Sequence, residues 1–344
     1  RSVPERKHLE PLHPAVRIYQ NTFVNPFDYL RRPLVFVSRL FQYLTAAVQL
    51  GFYLRKNRID LIHLHYVSFD VVLLVIYKWL LRYKLAITFT GSDVHLAKPN
   101  NLAGLKVRLA LRYADCVTAV SQDLCHKLAA RFGGANPVCV PNGVEPDKLR
   151  QLAAEGALPI DDDHLIFCGR LTAVKRVPFL IETFFLCLQR GCTHKLYIIG
   201  DGEVATRINE LIACYGIADS VILVGAVSHS QVLDAISRSR CLLLSSSNEG
   251  LPMVVLESLA LGRPVIASNT GGLSEVLVHG KNGYLYPADR QDQLSDAIMT
   301  VTTNKDLARD LGLNGPASIR EEYCLDSVVG RYCQIYEETI RAAA

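Results

Sequence analysis

The amino-acid sequence predicts an α/β protein built from two doubly wound parallel-sheet domains. The chain has 344 residues, 50% of them hydrophobic, so it can bury two cores of roughly 150 residues each. Short apolar segments alternate with helical ones up to about residue 145, and a second such series starts near residue 164. Strands that alternate with helices are typical of a parallel sheet with helices on both faces.

The predicted elements follow in order along each half of the chain. In the first half we predict strands at 15–20, 61–66, 85–90, 116–120 and 137–141, and helices at 34–56, 69–82 and near 102–113. In the second half we predict strands at 165–169, 195–200, 220–225, 241–247, 264–268 and 283–287, and helices at 177–190, 203–215, 229–238 and 252–262. Residues 146–163 are predicted to be a linker, and the acidic run at 161–163 a solvated turn rather than a metal site.

Charge, cysteine usage and hydropathy exclude several classes of protein. The formal net charge of +4 is spread along the chain, so neither nucleic acid nor an anionic membrane is required as a partner. The ten cysteines stand singly with no CxxC pair, which indicates buried thiols in a reducing compartment such as the cytoplasm. The apolar run at 40–54 has 15 residues, fewer than the roughly 20 of a transmembrane helix, and is expected to be an internal helix. A second apolar run, 71–85, is expected to pack on a sheet, and peripheral contact with a membrane surface stays open.

The most informative segment is 245–275, because it places Glu249 and Glu257 eight positions apart around a strand-to-helix junction. Pro252 presets the first helical position. Carboxylates accept hydrogen bonds from hydroxyls, while the free N–H groups at a helix start attract phosphate. A nucleotide sugar carries both kinds of group, so the junction is predicted to bind one.

The frames EGLPMVVLE, ESLALGRPVIAS and TGGLSE resemble those of the retaining glycosyltransferases of GT-B fold, family four. Further segments resemble that family in the same order between about residues 60 and 290, namely IHLHY, TFTGSDV, ADCVTAVS, VPNGV, FCGRLTAVKR, IIGDGE, LVGAV and KNGYLYPADR. The resemblance implies transfer of a hexose from a nucleoside diphosphate sugar to a hydroxyl of a glycan or lipid-linked acceptor. It implies no metal and no cofactor, since the nucleotide sugar is a co-substrate.

The resemblance also implies how the two halves are organised. Residues 1–145 would form a Rossmann-like acceptor-side domain, and 164–317 a Rossmann-like nucleotide-sugar domain that faces it across a cleft. Residues 318–344 would form a helix that crosses back to the first domain. The family's opening strand and glycine-rich loop are absent from the first residues, RSVPERKHLEPLHP. Truncation at the start is favoured over a replaced loop, so the resemblance does not by itself assure activity of this chain.

Three residues are assigned to catalysis by the resemblance. Arg170 and Lys175 stand five apart after a strand, where a guanidinium and an ammonium can both reach a diphosphate and stabilise it as it leaves. Glu249 is expected near the transferred sugar and its phosphates, and Glu257 at the ribose hydroxyls. The full set of donor-binding residues is Gly169, Gly200, Asp201, Gly202, Gly225, Gly250, Leu251, Pro252 and Glu257.

The acceptor side is expected at Thr90, Gly91, Ser92 and Asp93. Thr90 stands where the family often has a histidine, and a threonine hydroxyl is neither a cation nor a base near neutral pH. Arg176 stands where the family often has glycine, so its loop is expected to be less free to adopt positive φ. His63 and His65 alternate on one strand as a metal pair would, but strand-end histidines near the cleft are the favoured interpretation.

Two other functions stay open. One is a sugar-nucleotide epimerase of GT-B architecture, which would act without an acceptor. The other is a catalytically silent binding protein, favoured by Thr90 and by the absent opening loop. A dinucleotide dehydrogenase is not expected, since no G-x-G-x-x-G motif opens either half.

Overall fold

The computed structural model describes residues 33–95, 97–98, 100–133, 136–319 and 322–342, without the side chains of 33–36 and 39. The predicted strand at 15–20 and the opening of the chain lie outside these residues. Two compact units are present. One combines the described residues up to Asp60 with Phe69–Tyr83, and the other combines Leu61–Ser68 with the described residues from Lys84 onward.

The described part of the first unit contains two helices, α1 (Pro33–Asn57) and α2 (Asp70–Leu81), which confirm the helices predicted at 34–56 and 69–82. The helices are joined by a hydrogen bond from Tyr77 Oη to the carbonyl of Ala47, 2.7 Å long. Arg82 ends α2 in the left-handed conformation, with φ of 57°. Within the described part of the chain, none of the helices is long and apolar enough to cross a membrane.

The second unit holds two parallel sheets. Among the described residues the first sheet has four strands in the order β1-β2-β3-β4, namely β1 (Leu61–His65), β2 (Lys84–Phe89), β3 (Cys116–Ala119) and β4 (Val138–Cys139). They confirm four of the strands predicted for the first half. Between β2 and β4 the described chain forms three helices, namely α3 (Ser92–His95), α4 (Leu102–Tyr113) and α5 (Gln122–Phe132). Of these, α4 was predicted and α3 and α5 were not.

The second sheet lies within 136–319, where every residue is described. Its strands are β5 (Leu165–Cys168), β6 (Leu196–Ile199), β7 (Val221–Gly225), β8 (Cys241–Leu244), β9 (Val265–Ser268) and β10 (Gly283–Tyr286). All pairs are parallel and the order is β10-β9-β8-β5-β6-β7, so all six predicted strands are confirmed. The strand order reverses beside β5, and ligands of doubly wound sheets bind at the carboxyl ends of strands beside such a reversal.

Helices cover this sheet. They are α7 (Val177–Gln189), α8 (Ala205–Tyr215), α9 (His229–Arg238), α10 (Met253–Ala260), α11 (Leu273–Val276), α12 (Gln291–Thr303), α13 (Lys305–Leu313) and α14 (Gly315–Ile319). The predicted helices at 177–190, 203–215, 229–238 and 252–262 are confirmed. The chain thus contains two parallel-sheet α/β domains, although the predicted domain limits at 145 and 317 stay predictions.

The predicted linker at 146–163 contains a helix that was not predicted, α6 (Pro146–Glu155), and its role as a linker stays a prediction. The chain after α6 lies against α9, where the amide of Leu158 donates to Asp234 Oδ2 at 3.0 Å. The acidic run at 161–163 is an exposed bend between α6 and β5, and its carboxylates pair with basic side chains. These pairs are Asp161 with Lys195, Asp162 with Arg238, and Asp163 with Arg240.

The closing helix, α15, spans Leu325–Arg341, so its predicted start near 318 is wrong. The amide of Leu325 donates to the carbonyl of Val144 at 2.9 Å, and the amide of Val144 donates to Tyr323 at 2.9 Å. These bonds hold the residues before α15 in an extended conformation, so α15 does not continue directly from α14. The predicted return to the first sheet is confirmed, because Tyr336 Oη contacts His63 Nδ1 on β1.

Candidate active site

A cavity of about 420 Å³ lies at the carboxyl ends of β5, β6 and β7, beside α10. Its lining is formed by Cys168, Gly169, Arg170, Ile199, Gly200, Asp201, Ala226, Val227, Val232, Met253, Val254 and Glu257. Five residues of the predicted site therefore meet here, namely Gly169, Arg170, Gly200, Asp201 and Glu257. The cavity follows from the fold, since parallel strands bring their terminal loops to one edge.

Glycine lets the loops after β5 and β6 approach closely. A Cβ built on Gly200, whose φ is 141°, would lie 1.9 Å from the carbonyl oxygen of Gly169. The amide of Gly200 donates to the carbonyl of Gly225 at 2.9 Å, which ties in the end of β7. A side chain at position 200 would push these loops apart, so the cavity floor depends on this residue.

An ion pair joins Lys175 and Glu249 at the point where the strand order reverses. Lys175 ends a 3-10 helix (Ala173–Lys175) after β5, and Glu249 follows β8. Their Nζ and Oε1 atoms are 2.7 Å apart, and the side chains are only 20% and 10% exposed. Ser245 Oγ donates to the carbonyl of Lys175 at 2.8 Å, which fixes the two loops together. Two of the three predicted catalytic residues are thus in contact, and the third, Arg170, is exposed and lines the cavity.

Arg176 adopts positive φ, which corrects the expectation that this loop would avoid it. Its φ is 50°, in the left-handed region. The side chain holds the conformation in place: Nη1 donates to the carbonyl of Ala288 at 2.8 Å, and the guanidinium lies 4.4 Å from the ring centre of Phe179. Side-chain contacts therefore support a conformation that glycine would adopt without strain.

Glu257 is a buried carboxylate on α10, 7% exposed. Its Oε1 lies 2.8 Å from Nε2 of His229, the first residue of α9. Sequence reasoning missed His229, because its approach to Glu257 depends on how α9 and α10 pack. The pair gives the cavity a carboxylate of defined orientation, which can accept hydrogen bonds from hydroxyl groups.

The predicted acceptor-side loop is organised around Asp93. Its Oδ1 accepts from the amide of Gly91 at 2.9 Å, and its Oδ2 from the amide of Val67 at 3.2 Å. Burial raises the pKa of Asp93, and these backbone N–H groups oppose that rise by favouring the charged form. The carboxylate is 5% exposed and engaged with backbone, so it orders the loop. Ser92 is exposed, and contact of this loop with an acceptor stays a prediction.

A histidine is present in this region, although not at position 90. His95 Nδ1 lies 2.6 Å from Asn248 Nδ2, and Lys127 Nζ lies 3.4 Å from Asn248 Oδ1. Burial lowers the pKa of His95, and the Lys127 ammonium lowers it further, which favours the neutral imidazole. Sequence reasoning missed this cluster, which joins helices α3 and α5 to the loop after β8.

His63 and His65 lie side by side, with ring centroids 4.0 Å apart. Both nitrogens of His63 face protein hydroxyls, Nε2 at 2.6 Å from Thr88 Oγ1 and Nδ1 against Tyr336 Oη. Burial, and then the neighbouring His65, lower the pKa of His63 to about 3. Across the described residues, no group of three or more His, Cys, Asp or Glu side chains is arranged to hold a metal ion.

Two family models match successive parts of the chain. The model of the glycosyl transferases group 1 matches residues 150–318, and that of Glycosyltransferase Family 4 matches residues 6–148. N-acetyl-alpha-D-glucosaminyl L-malate synthase of Bacillus anthracis is 25% identical over 330 residues, which cover 92% of this chain and 86% of that protein. An uncharacterized glycosyltransferase of Methanocaldococcus jannaschii is also 25% identical, over 93% of this chain and 86% of its own length.

Solved structures share the fold. Sucrose-phosphate synthase from Thermosynechococcus elongatus superimposes with a TM-score of 0.72 at 23% identity, covering 92% of this chain and 80% of that one. Anabaena HepE in complex with UDP-glucose superimposes with a TM-score of 0.71 at 18% identity, covering 85% of this chain and 82% of that one.

Proposed function

The chain belongs to the GT-B glycosyltransferases of family four, and on that premise we propose that it is a retaining hexosyltransferase. The donor is a nucleoside diphosphate hexose, and the acceptor is a hydroxyl of a glycan or lipid-linked molecule. The observation that carries the proposal is the largely buried Lys175–Glu249 pair at the strand reversal, next to a cavity that holds Arg170 and Glu257. Cationic and carboxylate groups at this edge suit a ligand with phosphates and hydroxyls.

The cavity is proposed to hold the nucleoside. Glu257, oriented by His229, accepts hydrogen bonds from the ribose hydroxyls. The backbone at Gly169 and Gly200 lets the diphosphate approach the strand ends closely, since no side chain stands in the way. Because HepE was solved with UDP-glucose, uridine nucleotides are the first donors to test.

Arg170 and Lys175 are proposed to stabilise the leaving group. As the bond between the anomeric carbon and the phosphate oxygen breaks, negative charge grows on the diphosphate, and cations already in place lower that barrier. The acceptor oxygen bonds to the anomeric carbon from the face that the phosphate leaves, and its proton passes to the departing phosphate oxygen. The sugar thus keeps its configuration, and no protein side chain needs to serve as base.

A peripheral contact with a membrane is proposed for α1, with the enzyme on the cytoplasmic side. The exposed apolar residues of α1 recur at helical spacing and form one stripe, namely Val37, Phe41, Leu44, Val48 and Phe52. Residues 33–58 include four basic side chains and no acidic one, a charge that suits an anionic lipid surface. Sedimentation with phosphatidylglycerol vesicles should capture the protein, and Phe41→Ser with Phe52→Ser should reduce capture several-fold. Equal capture of both proteins would exclude this stripe as the contact.

The donor site is tested by thermal stabilisation with UDP, GDP, ADP and their common hexose derivatives. One nucleotide should raise the melting temperature of the wild type, and Lys175→Ala should weaken that rise. Absence of a shift with every nucleotide would refute the site. Binding without turnover would instead favour the silent binding protein, and conversion of the nucleotide sugar without any acceptor would favour the epimerase.

A further inference from the structure

We propose that Glu275 is a positioning residue. By capping helix α5, it holds in place the loop between β8 and α10, residues 245–252, which we call the Glu249 loop. The inference rests on the proposed transferase function, since it assigns Glu275 a role in arranging that site. Glu275 lies on α11, after the second sheet's fifth strand in chain order, β9. Helix α5 follows β3 of the first sheet, so the contact joins elements of the two sheets.

The carboxylate of Glu275 binds the start of α5 with both oxygens. Oε2 accepts from the amide of Gln122 and Oε1 from the amide of Asp123, each at 2.9 Å. The helix's own cap, Ser121 Oγ, accepts from the amide of Leu124 at 3.3 Å. The first N–H groups of a helix have no partner within it, and their positive end favours a carboxylate. Glu275 therefore completes a cap that the local sequence of α5 supplies only in part.

The segment before Glu275 lies directly against the Glu249 loop. The amide of Gly272 donates to the carbonyl of Gly250 at 2.9 Å. A Cβ on Gly271 would lie 1.9 Å from the carbonyl oxygen of Glu249, and a Cβ on Gly272 would lie 2.6 Å from Ser121 Cβ. Backbone stands against backbone here, so this segment and the Glu249 loop move together.

The Glu249 loop in turn lies against the first sheet. A Cβ on Gly250 would lie 2.1 Å from the carbonyl oxygen of Thr90. Three chain segments are thus stacked, 90–91, 249–250 and 271–272, and the bond from Glu275 to α5 fastens the outer one. Release of that bond loosens the stack and, with it, the position of the Glu249 carboxylate relative to Lys175. Small displacements of reacting groups cost rate even when binding is kept.

The alternative is a purely local cap, in which Glu275 stabilises α5 and nothing else. The positioning role and the purely local cap are distinguished by Glu275→Gln, with Glu210→Gln as the matched control. Glu210 is an exposed glutamate whose contact is with Arg207 at 3.3 Å, on helix α8, so its replacement removes the same charge away from the stack.

Amide hydrogen exchange and steady-state transfer are measured on the full chain. In Glu275→Gln we expect exchange about three- to tenfold faster both at 122–124 and at 248–251. We expect kcat to fall by a similar factor while the KM for the donor changes little. Glu210→Gln should match the wild type in both measurements.

Faster exchange confined to 122–124, with kcat unchanged, would overturn the inference and leave a local cap. Loss of the native fold in Glu275→Gln, which keeps the side chain's size, would overturn it as well. If the wild type transfers no sugar, the proposed function fails, and exchange at 248–251 still decides whether Glu275 positions that loop.

Discussion

Replacement of Glu249 by glutamine should destabilise the protein before any substrate is added. The substitution keeps the side chain's shape and removes the charge that faces Lys175 Nζ at 2.7 Å. The Lys175 side chain is only 20% exposed, so water compensates its remaining charge only in part.

The magnitude follows from how deeply the pair is buried. Loss of one partner of a fully buried pair costs roughly 3–5 kcal/mol, whereas a fully exposed pair contributes about 0–1 kcal/mol. With side chains 20% and 10% exposed, this pair is nearer the buried limit. The glutamine amide oxygen can still accept one hydrogen bond from the ammonium, so we expect the free energy of unfolding to fall by about 2 kcal/mol.

Urea unfolding of the wild type and of Glu249→Gln measures this difference. Asp289→Asn is the control, because Asp289 pairs with Arg176 at 3.0 Å but is 92% exposed, and its loss should leave the unfolding midpoint unchanged. A nucleoside diphosphate should stabilise Glu249→Gln more than the wild type, since its phosphates would then neutralise Lys175. Equal stability of wild type and Glu249→Gln would refute the assignment of this contact as a largely buried ion pair.

Two further predictions concern histidines. His229→Gln should raise the donor KM about three- to tenfold and leave kcat near the wild-type value, because it releases Glu257 without contacting the leaving group. Steady-state kinetics measures both constants, and an unchanged KM would contradict the role of His229. The pKa of His63 is lowered from 6.5 to about 3, so the unfolded chain binds the extra proton first as the pH falls. Its contribution to stability is therefore complete above pH 6.5 and declines by up to about 1.4 kcal/mol per pH unit between pH 6.5 and 3. His63→Asn should make the loss of stability between pH 6.5 and 4.5 less steep, as measured by urea unfolding at each pH, and an identical slope would count against a buried neutral His63.

The strands of the second sheet could be predicted because most of them are short apolar runs, whereas those of the first sheet also contain polar residues, as in LIHLH and KLAITF. The runs LIFC and CLLL, for example, are buried throughout and read as strands without any tertiary information. The site loops follow from the same reasoning, since residues after parallel strands meet at one edge.

The missed helices carried weaker signals. Helix α6 begins with Pro146 at its first turn and has few apolar residues, so its polar sequence was interpreted as a linker. Helix α5 does carry a start signal at Ser121 and a stop signal at Gly133, which local reasoning could have used. The start of α15 could not be predicted, because the extended chain before it depends on a pairing with Val144, far away in sequence.

The partners of the site residues were equally beyond local reasoning. Nothing near His229 in the sequence indicates that it meets Glu257, and nothing near Glu275 indicates that it caps a helix of the other sheet. Arg176 shows the opposite case, in which a local preference for glycine is overcome by side-chain contacts.

The account's central claim is retaining transfer from the donor held at Arg170, Lys175 and Glu257. The most direct test follows the anomeric proton by NMR while the wild type, supplied with the nucleotide hexose that stabilises it, slowly hydrolyses that donor with water as acceptor. We predict that the hexose first appears with the donor's own anomeric configuration, and that Lys175→Ala releases at least about 100-fold less. First appearance of the opposite anomer, or equal release by Lys175→Ala, would contradict the account.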